Sequence, residues 1–399
     1  MKPTCLVLAF GIVACGSDGA TAPRVPPRPT AQTALALGSR FTCALTTAGK
    51  AYCWGDALSG QIGDSTFTAK NVPTAVAGQH TFVAIAGGEQ TVCALDGGGM
   101  PWCWGDDPTQ PGVRQSLRNV PTAVATSRPF VAITVGRKFG CGLDDGGTAY
   151  CWGENGRGQL GQGDTLGRPA ATRVGGTVRF ASLAAGFWSV CGLSTDQSVY
   201  CWGDNTYGEL ATGDTLPVTG GPHKISGTST FKFLTSGSIH SCGIATNDHT
   251  LCWGANFSGQ IGDGSNSRHV TPSETAPGLT FTSLAAERAN SIFTHTCGVT
   301  TAGDVYCWGW NSKMQLGAAG TVDACVNGIL LTFVCSHDPV KVVGISGVSR
   351  LDAGLEHTCA LSGTNVYCWG DDAFGELGDG NAVVSTSTPI PVKGGLAFP

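Results

Sequence analysis

The sequence predicts an all-β protein, a seven-bladed β-propeller built from repeats of roughly fifty residues over positions 34–399. Three observations predict it. A strand ending in Cys-Trp-Gly recurs seven times, its cysteine falling at Cys53, Cys103, Cys151, Cys201, Cys252, Cys307 and Cys368. Glycine is abundant, with 60 residues in 399, about twice the usual share of ~7%, and charged residues make up only 13%. A hydrophobic content of 41% excludes a disordered chain, which would be charged and poor in apolar residues. Finally, each repeat holds four short runs that are apolar at alternate positions and bounded by Gly, Asn and Asp, with no helical period.

In chain order, residues 1–15 (MKPTCLVLAFGIVAC) open with Lys2 and a short apolar core, too short for a spanning helix. The run ends in Ile12-Val13-Ala14-Cys15, which resembles the lipobox of bacterial lipoproteins. That resemblance implies a signal peptide over 1–14, cleavage before Cys15 and acylation of that cysteine. The alternative is an ordinary signal peptide with an incidental cysteine. The polar, Pro-rich segment 15–33 suits a flexible tether, so an exported protein held in the cell envelope, at the outer membrane or cell surface, is the expectation. A net charge of −5 gives no basic face for nucleic acid.

From residue 34 the repeats begin. Candidate strand b is FVAIAGG (82–88), FASLAAG (180–186) or VSRLDAG (348–354). Strand c carries the first cysteine of each repeat and strand d the Cys-Trp-Gly. Strand a is NVPTAVAG (71–78), NVPTAVAT (119–126) or DPVKVVGI (338–345). Four strands at this period read as propeller blades. The chain opens on a strand b (34–39) and ends on a strand a (388–395), so the N- and C-terminal strands are expected to pair and close the ring.

The 18 cysteines divide without remainder. Cys5 leaves with the signal peptide and Cys15 takes lipid. The rest are expected to pair as Cys43–Cys53, Cys93–Cys103, Cys141–Cys151, Cys191–Cys201, Cys242–Cys252, Cys297–Cys307, Cys325–Cys335 and Cys359–Cys368. A three-residue loop at Thr47-Ala48-Gly49 places Cys43 opposite Cys53, and a two-residue Gly363-Thr364 loop keeps Cys359 opposite Cys368. Zinc is the rival reading, but structural zinc takes pairs a few residues apart, and no redox Cys-x-x-Cys occurs. Each Trp after the second cysteine points to the opposite sheet face, where it is expected to pack on the neighbouring blade.

Units such as AAGFWSVCGLSTDQSVYCWGDNTYGELATGD, with the turn N-x-x-G-Q-L-G seen at 155–161, 256–262 and 311–317, resemble the regulator-of-chromosome-condensation repeat family, a seven-bladed propeller. Unit two departs, since DDPTQPGVRQSL (106–117) lacks the turn motif. A eukaryotic member exchanges guanine nucleotides on a small GTPase and sits on chromatin, an activity not carried over to an acidic, exported chain. Secreted bacterial relatives include a propeller that inhibits β-lactamase by binding it.

Tempting motifs have plainer readings. The match of Gly156–Gly161 to G-x-G-x-x-G is the repeat turn, with no helix after it. His240, His295 and His357 sit two residues before a cysteine and read as buried hydrogen-bonding groups. The Asp-Gly turns at 262–264 and 378–380 lack the clustered carboxylates of a calcium loop. No metal, cofactor or catalytic residue is assigned. Function is expected where the repeat breaks. Unit six holds two insertions, 285–297 between strands b and c and 318–338 between d and a, which should emerge side by side on one face. Their candidate binding residues are Arg288, Asn290, Ile292, Phe293, Ile329, Leu330, Leu331 and Phe333. The expected function is non-catalytic binding of a protein or glycan by a monomeric, lipid-anchored propeller. An enzyme acting on polysaccharide at the ring centre, or a purely structural envelope protein, are the alternatives.

Overall fold

Alternating apolar residues fold each repeat into an antiparallel meander with the spatial order b–c–d–a. The computed structural model describes residues 34–112, 116–289, 291–318, 323–326, 332–381 and 384–399, and among these it contains seven such sheets and no helix. Blade 1 runs through b (Leu35–Leu37), c (Phe41–Leu45), d (Ala51–Gly55) and a (Lys70–Ala75). The b strands face the ring axis and the a strands lie outermost. All seven a strands contain a proline: Pro73, Pro121, Pro169, Pro222, Pro272, Pro339 and Pro389. Proline has no N–H to offer a foreign strand, so each outer edge is blunted against sheet-to-sheet association.

Strands c and d hold the disulfides. The seven repeat pairs sit directly opposite one another, with Cα–Cα distances of 4.0–4.1 Å. Loop length sets this register. Thr46 N donates to Lys50 O around a three-residue loop in blade 1, and Ser362 pairs with Asn365 around Gly363-Thr364 in blade 7. Each loop of this length stabilises by roughly 2.5–3 kcal/mol in the chain-entropy formula.

The apolar core is divided among the seven seams between blades, and each seam buries the Trp of the following blade. All seven of these Trp are fully buried, at 0% exposure. The indole N–H reaches back to the turn carbonyl of the preceding blade: Trp104 to Gln61 O, Trp202 to Gln159 O, Trp253 to Glu209 O, Trp308 to Gln260 O and Trp369 to Gln315 O, at 2.9 Å each, and Trp54 to Glu376 O at 2.8 Å. The turn itself is held by its Asn, as when Asn155 Oδ1 accepts the Leu160 N–H. Its last glycine lies flat against the indole. A Cβ on Gly161 (φ +63) would meet Trp202 at 2.8 Å, so a side chain has no room there.

Unit two shows what loss of the motif does. Among the described residues the buried Trp152 indole N–H has no acceptor, although blade 2 still forms a turn over 108–112 without the motif. We therefore expect Trp202→Phe to destabilise by about 1 kcal/mol more than Trp152→Phe in urea titrations, the difference being one net hydrogen bond. Equal losses would refute this assignment.

The three histidines are interblade struts. His240 Nε2 lies 2.8 Å from Thr296 Oγ1, His295 Nε2 2.9 Å from Thr358 Oγ1, and His357 Nε2 2.9 Å from Thr42 Oγ1. Each of these Thr hydroxyls donates onward to the turn carbonyl of Gln260, Gln315 or Glu376, so each accepts from a His Nε2–H. Burial pushes the imidazoles down to about 3 for His240 and His295 and about 4 for His357.

The expected pairing of terminal strands does not occur. Leu35–Leu37 pairs with strand c of blade 1, and Thr386–Pro391 with strand d of blade 7. The reason is radial position. A terminal a strand lies at the rim of its own blade and an initial b strand at the axis of the next, too far apart to share hydrogen bonds. Every blade is therefore one continuous stretch of chain, and the ring closes by packing. Leu35, Leu37 and Trp54 of blade 1 bury against Leu361, Leu377 and Phe398. Phe398 N donates to Thr364 O at 3.1 Å, the bond that Phe82 N makes to Gly49 O and Phe180 N to Gly147 O at the start of their own b strands. Phe398 thus supplies, from the other end of the chain, the aromatic found at this place in five of the other blades (Phe82, Phe130, Phe180, Phe231 and Phe281).

Candidate functional site

In a b–c–d–a meander the b→c and d→a turns leave on the same face, and the two insertions of blade 6 meet there. Phe293 of the first packs edge-on against Phe333 of the second, with ring centroids 4.9 Å apart, and against Trp310 at 5.8 Å. The second insertion is partly sheet. Asp323–Val326 pairs with Thr332–Lys341 and adds a fifth strand outside blade 6, stapled by Cys325–Cys335. Asn290, Ile329, Leu330 and Leu331 lie outside the described residues.

Of the other candidate residues, Ile292 is 42% exposed, while Phe293 and Phe333 are half-buried. Arg288 is turned to a structural task. Its guanidinium crosses the end of the ring axis, 2.7 Å from Asp352 Oδ1 of blade 7 and 3.1 Å from Gly87 O of blade 2. Asp352 also accepts the Leu37 N–H of blade 1 at 2.9 Å. Arg288 is thereby a tie across the ring mouth, not the free binding group the sequence led us to expect. Its charge is neutralised before a partner arrives.

Ile292 leads into a second set of residues that sequence reasoning missed. A cavity of about 360 Å³ is lined by Phe187, Trp188, Tyr207 and Ile239 from blades 4 and 5, with Ile292 as its far wall. Tyr207 continues to Phe257, ring centroids 5.7 Å apart. Blades 4 to 6 thus present one aromatic crescent. The available signal was Phe187-Trp188, a double aromatic in a b→c turn that carries Glu89-Gln90 in blade 2 and Arg137-Lys138 in blade 3. Asp204 and Glu209 form the polar side of the cavity. Burial, reinforced by the neighbouring Asp204, pushes the Glu209 carboxyl up to about 8. Arg157 lies 5.1 Å from the Trp188 ring, a cation–π contact at the rim.

Most of the charges on the other half of this face pair with one another, while Arg40 lies over the Phe374 ring. Arg137 lies 3.1 Å from Glu89, Lys138 3.0 Å from Asp106 and Lys313 3.2 Å from Asp371. The face is therefore divided, with an apolar aromatic half and a charge-paired half.

Comparison with known proteins fits this architecture. A model of the regulator of chromosome condensation (RCC1) repeat matches residues 33–61, 130–159, 180–209 and 348–376, and a second RCC1 repeat model matches 302–361. The chain carries RCC1 repeats. Among curated relatives it is 26% identical over 166 residues to the ultraviolet-B receptor UVR8 of Arabidopsis thaliana, covering 41% of this chain and 34% of that protein. It is 27% identical over 162 residues to the human E3 ubiquitin-protein ligase HERC2, covering 40% of this chain and 3% of that one. The RCC1-repeat match thus spans only part of these relatives. Among solved structures, Prp20p of Saccharomyces cerevisiae superposes with a TM-score of 0.76 at 19% identity over 88% of this chain and 87% of that one. Human WBSCR16 gives 0.70 at 17% identity, covering 82% and 85%. These likenesses are to the RCC1-type fold.

Proposed function

We propose that this RCC1-repeat propeller is a protein-binding module that acts through the aromatic crescent of blades 4 to 6, without catalysis. The carrying observation is the division of one face into an apolar aromatic half with a preformed cavity and a half whose charges are largely paired. Half-buried aromatics around a cavity, such as Trp188 and Tyr207, are the usual anchors of protein interfaces, whereas self-paired rim charges add little. Among relatives of the fold, Prp20p is known for binding Gsp1p and histones. We further propose that the chain is exported and lipid-anchored at Cys15 in the cell envelope, as a monomer. The paired cysteines support an oxidising compartment.

One cross-linking capture in whole cells, followed by membrane fractionation, tests both parts, using wild type, Trp188→Ala, Tyr207→Ala, Phe333→Ala and Cys15→Ala. The partner should be lost at least tenfold from the three aromatic variants with melting temperatures within a few degrees of wild type. Cys15→Ala should move the propeller from the membrane to the soluble fraction and keep its partner. Full retention of the partner by all three aromatic variants would refute the crescent, and a protease-resistant captured species would favour a glycan.

A further inference from the structure

The ring axis offers a second site, independent of the crescent. The b strands enclose a cavity of about 500 Å³ walled by Leu35, Ile85, Ile133, Leu183, Leu234 and Leu351. That volume lies in the range of small-molecule sites. At one end the Arg288–Asp352 pair crosses the axis. At the other end Thr282 and Ser349 line the cavity and are exposed to solvent, so the tube opens on the face opposite the crescent.

Near that opening the wall carries two polar groups whose partners are missing. Arg350 lines the cavity and is half-buried, and among the described residues it makes no ion pair or hydrogen bond. Burial lowers its pKa from the ordinary guanidinium value, with no carboxylate acting on it. Ser283 occupies the equivalent register in blade 6, each residue following the bulge of its b strand, and its buried hydroxyl also has no partner. The Arg at the other end already has its acid. Arg350 does not, and an unpaired guanidinium beside an apolar tube is complementary to an anion with an apolar tail.

We propose that the axial cavity binds an aliphatic carboxylate, its head on Arg350 and its chain along the leucine and isoleucine wall. The b strands are about six residues long, so the tube is roughly 20 Å deep, enough for a medium-length chain. Arg350 is a binding group here, and no chemistry is required of it.

Calorimetric titration with sodium octanoate, sodium decanoate and 1-decanol, all below their aggregation limits, tests the assignment. Decanoate should bind one per chain and about tenfold more tightly than octanoate, because two further methylenes are buried. Arg350→Gln should weaken decanoate at least tenfold and leave 1-decanol unchanged, and Arg350→Lys should recover most of the loss. Equal decanoate affinity in wild type and Arg350→Gln would overturn the proposal, as would no saturable binding by wild type. Arg350 lies in the channel wall outside every seam cluster, so the variants are expected to melt with wild type.

Discussion

Phe398→Ala should lower the unfolding free energy by about 3 kcal/mol, the usual loss for a buried aromatic cut back to alanine. Phe398 is 3% exposed and packs with Leu35, Leu37 and Leu361, where the last blade meets the first. Its backbone is fixed on both sides, since Phe398 N donates to Thr364 O of blade 7 and Thr47 N of blade 1 donates to Ala397 O. The effect should resemble that of Phe82→Ala, which sits at the equivalent place in blade 2. A urea midpoint for Phe398→Ala indistinguishable from wild type would show that the seam closes without it.

Glu209→Gln and Glu376→Gln should each stabilise the protein at pH 8 and destabilise it by about 1–3 kcal/mol at pH 4. Both residues stand where Gln61, Gln159, Gln260 and Gln315 stand in other blades, and they are 2% and 1% exposed. Burial pushes both carboxyls from 4.5 to about 8. A raised carboxyl contributes its full stability below the unfolded value and loses it as pH climbs from 4.5 through 8. Over that window the loss is of order 4 kcal/mol per group. Glutamine removes that dependence. The net gain at pH 8 should be smaller, about 1–3 kcal/mol, because among the described residues the Gln260 and Gln315 side-chain N–H groups are themselves left without partners. The buried histidines act at the other end of the scale. Their folded values of about 3 to 4 lie below 6.5, so stability should fall as pH drops from 6.5 through 4, in all variants alike. Thermal melts from pH 4 to pH 9 read both limbs, and a constant difference between Glu209→Gln and wild type at all pH values would contradict the buried, protonated carboxyl.

How much of this was legible in the sequence depended on whether the information was local. Cysteine spacing and loop length together dictate hairpin register, so the seven repeat pairs could be read from 43 to 368, and Cys325–Cys335 followed as the pair left over. The interblade role of each Trp followed from strand alternation. Ring closure was misjudged because a period cannot tell which strand lies at the axis, and the repeat can be cut before a or before b with equal regularity. The binding face was seen in part. Insertions in blade 6 drew notice because they change length, whereas Phe187, Trp188 and Tyr207 change only composition within a turn of ordinary length. Arg288 looked free because its partners, Asp352 and Gly87, are 64 and 201 residues away.

The position of the disulfides bears on how the chain can be made. Sixteen cysteines admit far more pairings than the 105 open to eight, and most of them would trap the chain. Here every native bond joins cysteines 9 or 10 residues apart. A hairpin of that length forms in microseconds, long before blades dock or thiols oxidise. Each cysteine therefore meets its own partner while the others are still distant, and turn geometry does the sorting that an isomerase would otherwise have to repeat.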